Sequence, residues 1–247
     1  MKPAAIPLIL IHGVGLDHMM WQGVVAALPH RRTITYDIIG HGRAHKPAGP
    51  YSLSMFVDQL SDIVDALGGE VDLVGFSMGA LVAQRFASSA GGPGIHRMVL
   101  LNGVHRRSPA ERQAIVDRVA EVRAGGFAAT VEPALERWFT PEFRKEHPVE
   151  VAEVRRRLLA NDVRAYADAY EVFATADAEV SSRVDEISSP TLVATGSDDQ
   201  RSTPAMAAAL AQSLPNGHSI VLPGLRHLSP IEAPGEVAAL VDEFTAV

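Results

Sequence analysis

The sequence predicts an α/β fold in which a mostly parallel central sheet is flanked by helices and carries a helical lid. Three observations carry that prediction. Short apolar runs alternate with helical patterns over residues 1–104. The stretch 105–180 is rich in Arg, Glu and Ala and holds no strand candidate, and strand patterns return over 181–247. Such alternation builds βαβ units, whose crossovers lay helices on both faces of a parallel sheet. Residues 1–104 and 181–247 therefore read as the core and 105–180 as the lid, over the carboxyl-end crevice where such sheets bind ligands. At 247 residues, 47% hydrophobic and 21% charged, the chain suits one large domain with an insertion.

Leu8-Ile9-Leu10-Ile11 is the first strand, continuously apolar as expected where both faces are buried. It ends at His12-Gly13-Val14-Gly15. Residues 32–36 read as the second strand, closing in the turn-rich Asp37-Ile38-Ile39-Gly40-His41-Gly42-Arg43. Apolar residues at helical spacing over 53–67 stop at Gly68-Gly69, a helix end. Residues 71–76 form the third strand, with a helix behind it to Ala87, and 97–102 the fourth. About four lid helices are expected, broken near Gly125-Gly126, Thr140-Pro141 and Asn161-Asp162. Strands return at 190–196 and 218–222, and 236–245 is the closing helix. Arg155-Arg156-Arg157 lies within a helical pattern and reads as a solvated face.

Composition excludes several functions. A net charge of −7 with no basic face argues against a nucleic-acid partner. Without cysteine there is no disulfide framework, thiol nucleophile or Cys-ligated zinc. The apolar runs are too short to span a membrane, and Met1-Lys2-Pro3 has no charged leader region or cleavage site, so the chain reads as cytoplasmic. No His-x-x-x-His or Glu-x-x-His pair stands on a helix, and the glycine motifs lack a trailing Lys-Ser/Thr. Neither a metal nor a cofactor is expected.

The stretch that carries chemistry is Val71-Asp72-Leu73-Val74-Gly75-Phe76-Ser77-Met78-Gly79-Ala80. A strand running into Gly-x-Ser-x-Gly and then a helix lifts one hydroxyl on a sharp turn at the sheet edge. A serine needs a base to take its proton, and the base needs a third group to orient it. Gly196-Ser197-Asp198-Asp199 and Gly224-Leu225-Arg226-His227 each follow a strand, so carboxylate and imidazole arrive at the same edge as Ser77. Asp198 and Asp199 are adjacent, and only one can face the imidazole. Among ten histidines, His227 alone stands between the final strand and the final helix. His218 reads as a surface residue, and His30, His96 and His147 as solvated. The oxyanion needs two preorganised donors. One is the Met78 N–H at a helix start, the other Val14 in the first loop, with Gly15 second. His12 braces that loop. Gly40-His41-Gly42-Arg43 is a structural turn from which Arg43 can meet an anion. Arg43, Arg201 and Arg226 together hint at an anionic small-molecule substrate, although surface ion pairs explain each as easily.

With elbow, acid loop and histidine in place, the chain resembles the α/β-hydrolase superfamily over essentially its full length, including the order Ser, acid, His. It is similar in particular to bacterial 3-oxoadipate enol-lactonases. The likeness runs through His12-Gly13-Val14-Gly15-Leu16-Asp17-His18-Met19-Met20-Trp21, Arg137-Trp138-Phe139-Thr140-Pro141-Glu142-Phe143, residues 162–170 with their paired tyrosines, 190–204 and 224–234. The resemblance implies a lid inserted after the sixth strand. Its acid loop takes the form Gly-x-x-Asp, which selects Asp199 and leaves Asp198 to stabilise the turn. It further implies a cofactor-independent Ser77–His227–Asp199 triad cleaving a small ester or lactone, with Gly13 and Trp138 beside the substrate. An aromatic at 138 also serves to pack the lid. Ala44 stands where the family has serine, Gln200-Arg201 where Pro and a small apolar residue are commoner, and Ala176-Asp177-Ala178 keeps only part of a lid motif. These departures bear on the substrate more than on the chemistry. C–C bond or amide hydrolysis, and a slow hydrolase-fold receptor, use the same triad. The oligomeric state stays open, a homodimer included.

Overall fold

A computed structural model describes residues 6–89 and 94–246; Met1-Lys2-Pro3 lies outside them. Among the described residues six strands form one sheet: β1 (Leu8–Ile11), β2 (Thr33–Tyr36), β3 (Val71–Phe76), β4 (Ile95–Leu101), β5 (Thr191–Gly196) and β6 (Gly217–Leu222). Their order is β2-β1-β3-β4-β5-β6, and every neighbouring pair is parallel. The core helices are α1 (Gln22–Ala27), α2 (Leu53–Leu67) and α3 (Met78–Ala87). The lid follows β4 with α4 (Pro109–Glu121), α5 (Phe127–Trp138), α6 (Pro141–Glu146), α7 (Pro148–Leu159), α8 (Val163–Thr175) and α9 (Asp177–Ser181). After β5 come α10 (Pro204–Ser213), α11 (Ser229–Glu232) and α12 (Pro234–Thr245).

Central strands read apolar because both faces are covered. All four residues of β1 and all six of β3 are buried. The polar exception, Asp72, sits at the amino end of β3, where Arg31 (2.7 Å) and His96 (2.9 Å) bind its two oxygens. His96 is thus partnered rather than simply solvated, a pairing that two distant stretches of sequence conceal. Helix α2 begins where the Ser52 hydroxyl accepts from the Met55 N–H and ends where Gly68 turns left-handed. Its buried Leu53, Phe56, Leu60 and Val64 form the stripe that the spacing predicts.

The lid enters from the fourth strand in chain order, not a sixth, because the described sheet has six strands in all. Its breaks fall at the three expected places, but it holds six α-helices among the described residues rather than about four. One extra break is at His147-Pro148, where proline cannot continue α6 and instead opens α7. Two apolar clusters seat the lid. Ala165, Tyr166, Ala169 and Tyr170 of α8 join Ile9 and Ile11 of β1 in one, and Val131, Leu135, Val154 and Leu158 join Leu8 and Leu10 in the other. Within the Arg155–Arg157 run, Arg157 is mostly covered, bonded to Glu153 and Asp17 rather than free in solvent. No helix among the described residues is long and apolar enough to cross a membrane.

Candidate active site

Strand β3 hands the chain to α3 through Ser77, whose φ of 53° and ψ of −112° lie where side-chain-bearing residues rarely go. The flanking glycines make the turn possible. A Cβ on Gly75 would meet the Gly79 carbonyl oxygen at 2.5 Å, and one on Gly79 would meet the Ile11 carbonyl oxygen at 2.4 Å. Only hydrogen fits at either position, so α3 starts hard against β1 and Ser77 stands at the carboxyl end of the sheet.

The loops after β5 and β6 end at the same edge. His227 Nε2 lies 3.2 Å from Ser77 Oγ, and its Nδ1 lies 2.7 Å from Asp199 Oδ2. A carboxylate only accepts, so Nδ1 carries the proton and Nε2 is free to accept from the serine. Asp199 Oδ1 takes the Arg201 and Ser202 N–H groups (2.9 and 3.0 Å), and Oδ2 also takes the Asn102 amide (2.9 Å). Burial by itself raises the pKa of this carboxyl. The neighbouring His227 and these hydrogen bonds outweigh burial and hold it below the ordinary carboxylate value. Asp198 turns outward and accepts from the Ser197 hydroxyl. The structure thus brings together Ser77, His227 and the second of the two candidate carboxylates.

Around the first loop, Val14 lines the cavity in front of Ser77. Neither the Val14 nor the Met78 N–H has a hydrogen-bond acceptor among the described residues. His12 is fully buried, takes the Ile38 N–H on Nε2 (2.9 Å) and donates from Nδ1 to the Gly13 carbonyl (2.8 Å). Donor and carbonyl fix that peptide, whose N–H is Val14's. Gly13 leaves room for the serine, since a Cβ there would come within 3.1 Å of Ser77 Cβ.

A cavity opens over Ser77 and His227 beneath the lid. Trp138 borders it with its ring centroid 6.1 Å from that of His227, while its backbone carbonyl accepts from Leu228, so the residue both faces the site and packs the lid. The cationic wall is not the one expected. Arg43 is exposed on a separate surface groove with Asp37, Asp58 and Asp62, because its N–H is tied to Asp37 (2.8 Å) and the turn faces away. Arg226 turns back to the Glu136 and Phe139 carbonyls. Of the three, only Arg201 lines the cavity.

Three lid arginines that sequence reasoning missed, Arg107, Arg118 and Arg137, line it instead. Burial, then the nearby Arg118, holds the Arg137 pKa below its usual value. Arg137 and Arg118 form no salt bridge among the described residues, although Arg118 donates to the Tyr170 hydroxyl (3.1 Å). Arg107 is buried against Asp177 (3.1 Å), yet its Nη1 has no partner among the described residues, and neither has the buried Ser202 Oγ. These residues were illegible because their helices' rotation, not their spacing, decides what faces the cavity. The available signals were Asp177 of the partly kept Ala-Asp phrase and the place of Arg137 beside Trp138 in the lid phrase.

The chain matches the alpha/beta hydrolase family over residues 8–240. It is 34% identical to the (E)-2-((N-methylformamido)methylene)succinate hydrolase of Acinetobacter baylyi over 94% of this chain and 87% of that one. It is 30% identical to 3-oxoadipate enol-lactonase 2 of the same organism, over 92% and 84%. The crystal structure of the enol-lactonase from Burkholderia xenovorans LB400 superposes with a TM-score of 0.91 at 30% identity, covering 99% of this chain and 92% of that one.

Proposed function

Because this chain belongs to the alpha/beta hydrolase family, we propose that it is a serine hydrolase opening a small ester or lactone through an acyl-enzyme on Ser77. The observation that carries the reading is the unbroken line Asp199–His227–Ser77, at 2.7 and 3.2 Å. Ser77 Oγ attacks the carbonyl carbon as His227 Nε2 takes its proton, and the Val14 and Met78 N–H groups receive the oxyanion. The tetrahedral intermediate collapses, its C–O bond breaks, and His227 returns the proton to the leaving oxygen. Water then gives a proton to His227, adds to the acyl carbon and releases the acid with Ser77 restored. Asp199 keeps the imidazole in its tautomer and stays ionised throughout.

The substrate in this reading carries a carboxylate. Arg118 and Arg137 line the cavity without a salt bridge among the described residues, which leaves their charge to meet an anionic acceptor. Trp138, above the imidazole, bounds the space available to it. The printed names of two relatives, a substituted succinate hydrolase and a 3-oxoadipate enol-lactonase, agree with an acidic substrate. The first of them also favours a second reading, hydrolysis of a formamide-bearing succinate by the same residues.

The test is kcat/KM for 3-oxoadipate enol-lactone, the formamido succinate and a neutral short-chain ester, with wild type and Ser77→Ala. A value of about 10⁵ M⁻¹s⁻¹ or more on one acidic substrate, lost in the variant, supports the reading. Turnover that survives Ser77→Ala refutes it. Tight, saturable binding with almost no turnover would move the chain to the receptor class.

A further inference from the structure

One side chain behind the triad has more bonds than a packing role requires. Asn102 directly follows β4 at a φ of 48°, and no part of it reaches solvent. Its Nδ2 donates to Asp199 Oδ2 (2.9 Å), the same oxygen that His227 Nδ1 meets, and is within bonding distance of Thr195 Oγ1 (3.2 Å) and the Arg226 carbonyl (3.3 Å). Its Oδ1 accepts from the Ser229 hydroxyl (2.7 Å), and its backbone N–H donates to the Ala194 carbonyl (2.8 Å). The amide can stand only this way round. Reversed, its oxygen would face a carboxylate and a carbonyl, both acceptors.

Four segments therefore converge on one residue: the ends of β4 and β5, the acid loop, and the loop bearing His227. A polar residue between Leu101 and Gly103 could instead have been a surface turn, where asparagine tolerates positive φ. Complete burial and the bond to the acid separate this position from that case. We propose that Asn102 is the positioning residue of the Ser77–His227–Asp199 line. Its amide fixes which Asp199 oxygen meets the imidazole and locks the acid loop to the histidine loop. It touches neither substrate nor reacting atoms. The inference rests on the serine-hydrolase reading, and the test separates the two.

Asn102→Gly removes the amide while keeping a residue at ease with positive φ. Ser229→Ala leaves the amide in place but frees its far end. A general base that loses its orientation forfeits part of its contribution, about 10- to 100-fold in rate, and that loss outweighs the accompanying gain in imidazole basicity. The expected result for Asn102→Gly is a kcat lower by that factor, with KM on the same ester within about threefold of wild type. The acid limb of kcat/KM should also move to higher pH, by about half a unit or more, since a carboxylate relieved of its amide donor stabilises the imidazolium better. Ser229→Ala should shift the limb the same way by less, and it carries the test alone if the glycine variant does not fold.

The other charged groups reaching this cavity are Arg107, Glu111 and Arg118 at the start of the lid, Arg137 on α5 and Arg201 after the acid. Glu232 on α11 is held by Thr140 and the Arg226 N–H. Neither substitution alters any of them. A folded glycine variant with wild-type kcat, or a slowed one with an unmoved acid limb, overturns the proposal. In either case activity that still depends on Ser77 leaves the hydrolase reading standing.

Discussion

Taking the protein from about pH 7 to about pH 5 should weaken it, and one buried histidine contributes a separable part of that loss. His41 is fully buried behind the first loop, its ring edge-on to His12 with centroids 5.1 Å apart, and its Nε2 has no hydrogen-bond partner among the described residues. Burial, with the neighbouring His12 second, pushes its pKa down to about 3. Between that value and the unfolded value near 6.5 the unfolded chain binds the extra proton, so stability rises with pH across this window. The contribution is intact above about pH 6.5, and at about pH 5 its loss amounts to about 2 kcal/mol. Burial also lowers His12 and His105, the latter to about 4, so both add to the slope in the same direction. The depressed carboxyls Asp199 and Asp37 act in a lower range. Their stabilisation is present above the ordinary carboxylate value and is lost as pH falls below it.

Urea unfolding at both pH values, for wild type and His41→Gln, measures the effect. The variant changes absolute stability through packing, but only titration changes the difference between the two pH values. That difference should shrink by about 2 kcal/mol in His41→Gln. An undiminished difference refutes the claim that His41 is held neutral.

Other consequences follow from contacts already described. Gly79→Ala forces a Cβ to 2.4 Å from the Ile11 carbonyl oxygen, and should lower unfolding free energy by about 3 kcal/mol in a urea titration. Asp177→Ala strands the buried Arg107 cation and should cost about 3 kcal/mol, with much of that loss returning in the double variant Arg107→Met/Asp177→Ala. Wild-type stability in the single variant would show that the pair is not desolvated. Arg137→Gln should raise KM for a carboxylate-bearing substrate by about tenfold or more while leaving a neutral ester within about twofold. Equal effects on both substrates would remove Arg137 from substrate recognition.

Ser77, His227 and the acid loop were legible because each lies in a local pattern with a single structural meaning. A strand entering Gly75-Phe76-Ser77-Met78-Gly79 can turn into a helix in essentially one way, since Gly75 and Gly79 each face backbone at under 3 Å. The all-apolar β1 and β3 likewise announce burial on both faces. Chain order then brings Asp199 and His227 to the same edge, because consecutive parallel strands all end there.

What the linear chain withheld is whatever depends on rotation and long-range approach. Arg43 lies in the turn after β2 yet faces another groove, whereas Arg118 and Arg137, far in sequence from Ser77, Asp199 and His227, line the cavity. Asn102 reads as the polar end of a strand, and only the fold sets its amide against residues 93 to 127 positions away. Local sequence determined the elements and the reacting groups, because backbone sterics and periodicity act over a few residues. Tertiary packing decided the recognition surface and the support behind the triad. A side chain's partners there are chosen by the angle of its helix and the meeting of loops, and neither is encoded in any one segment.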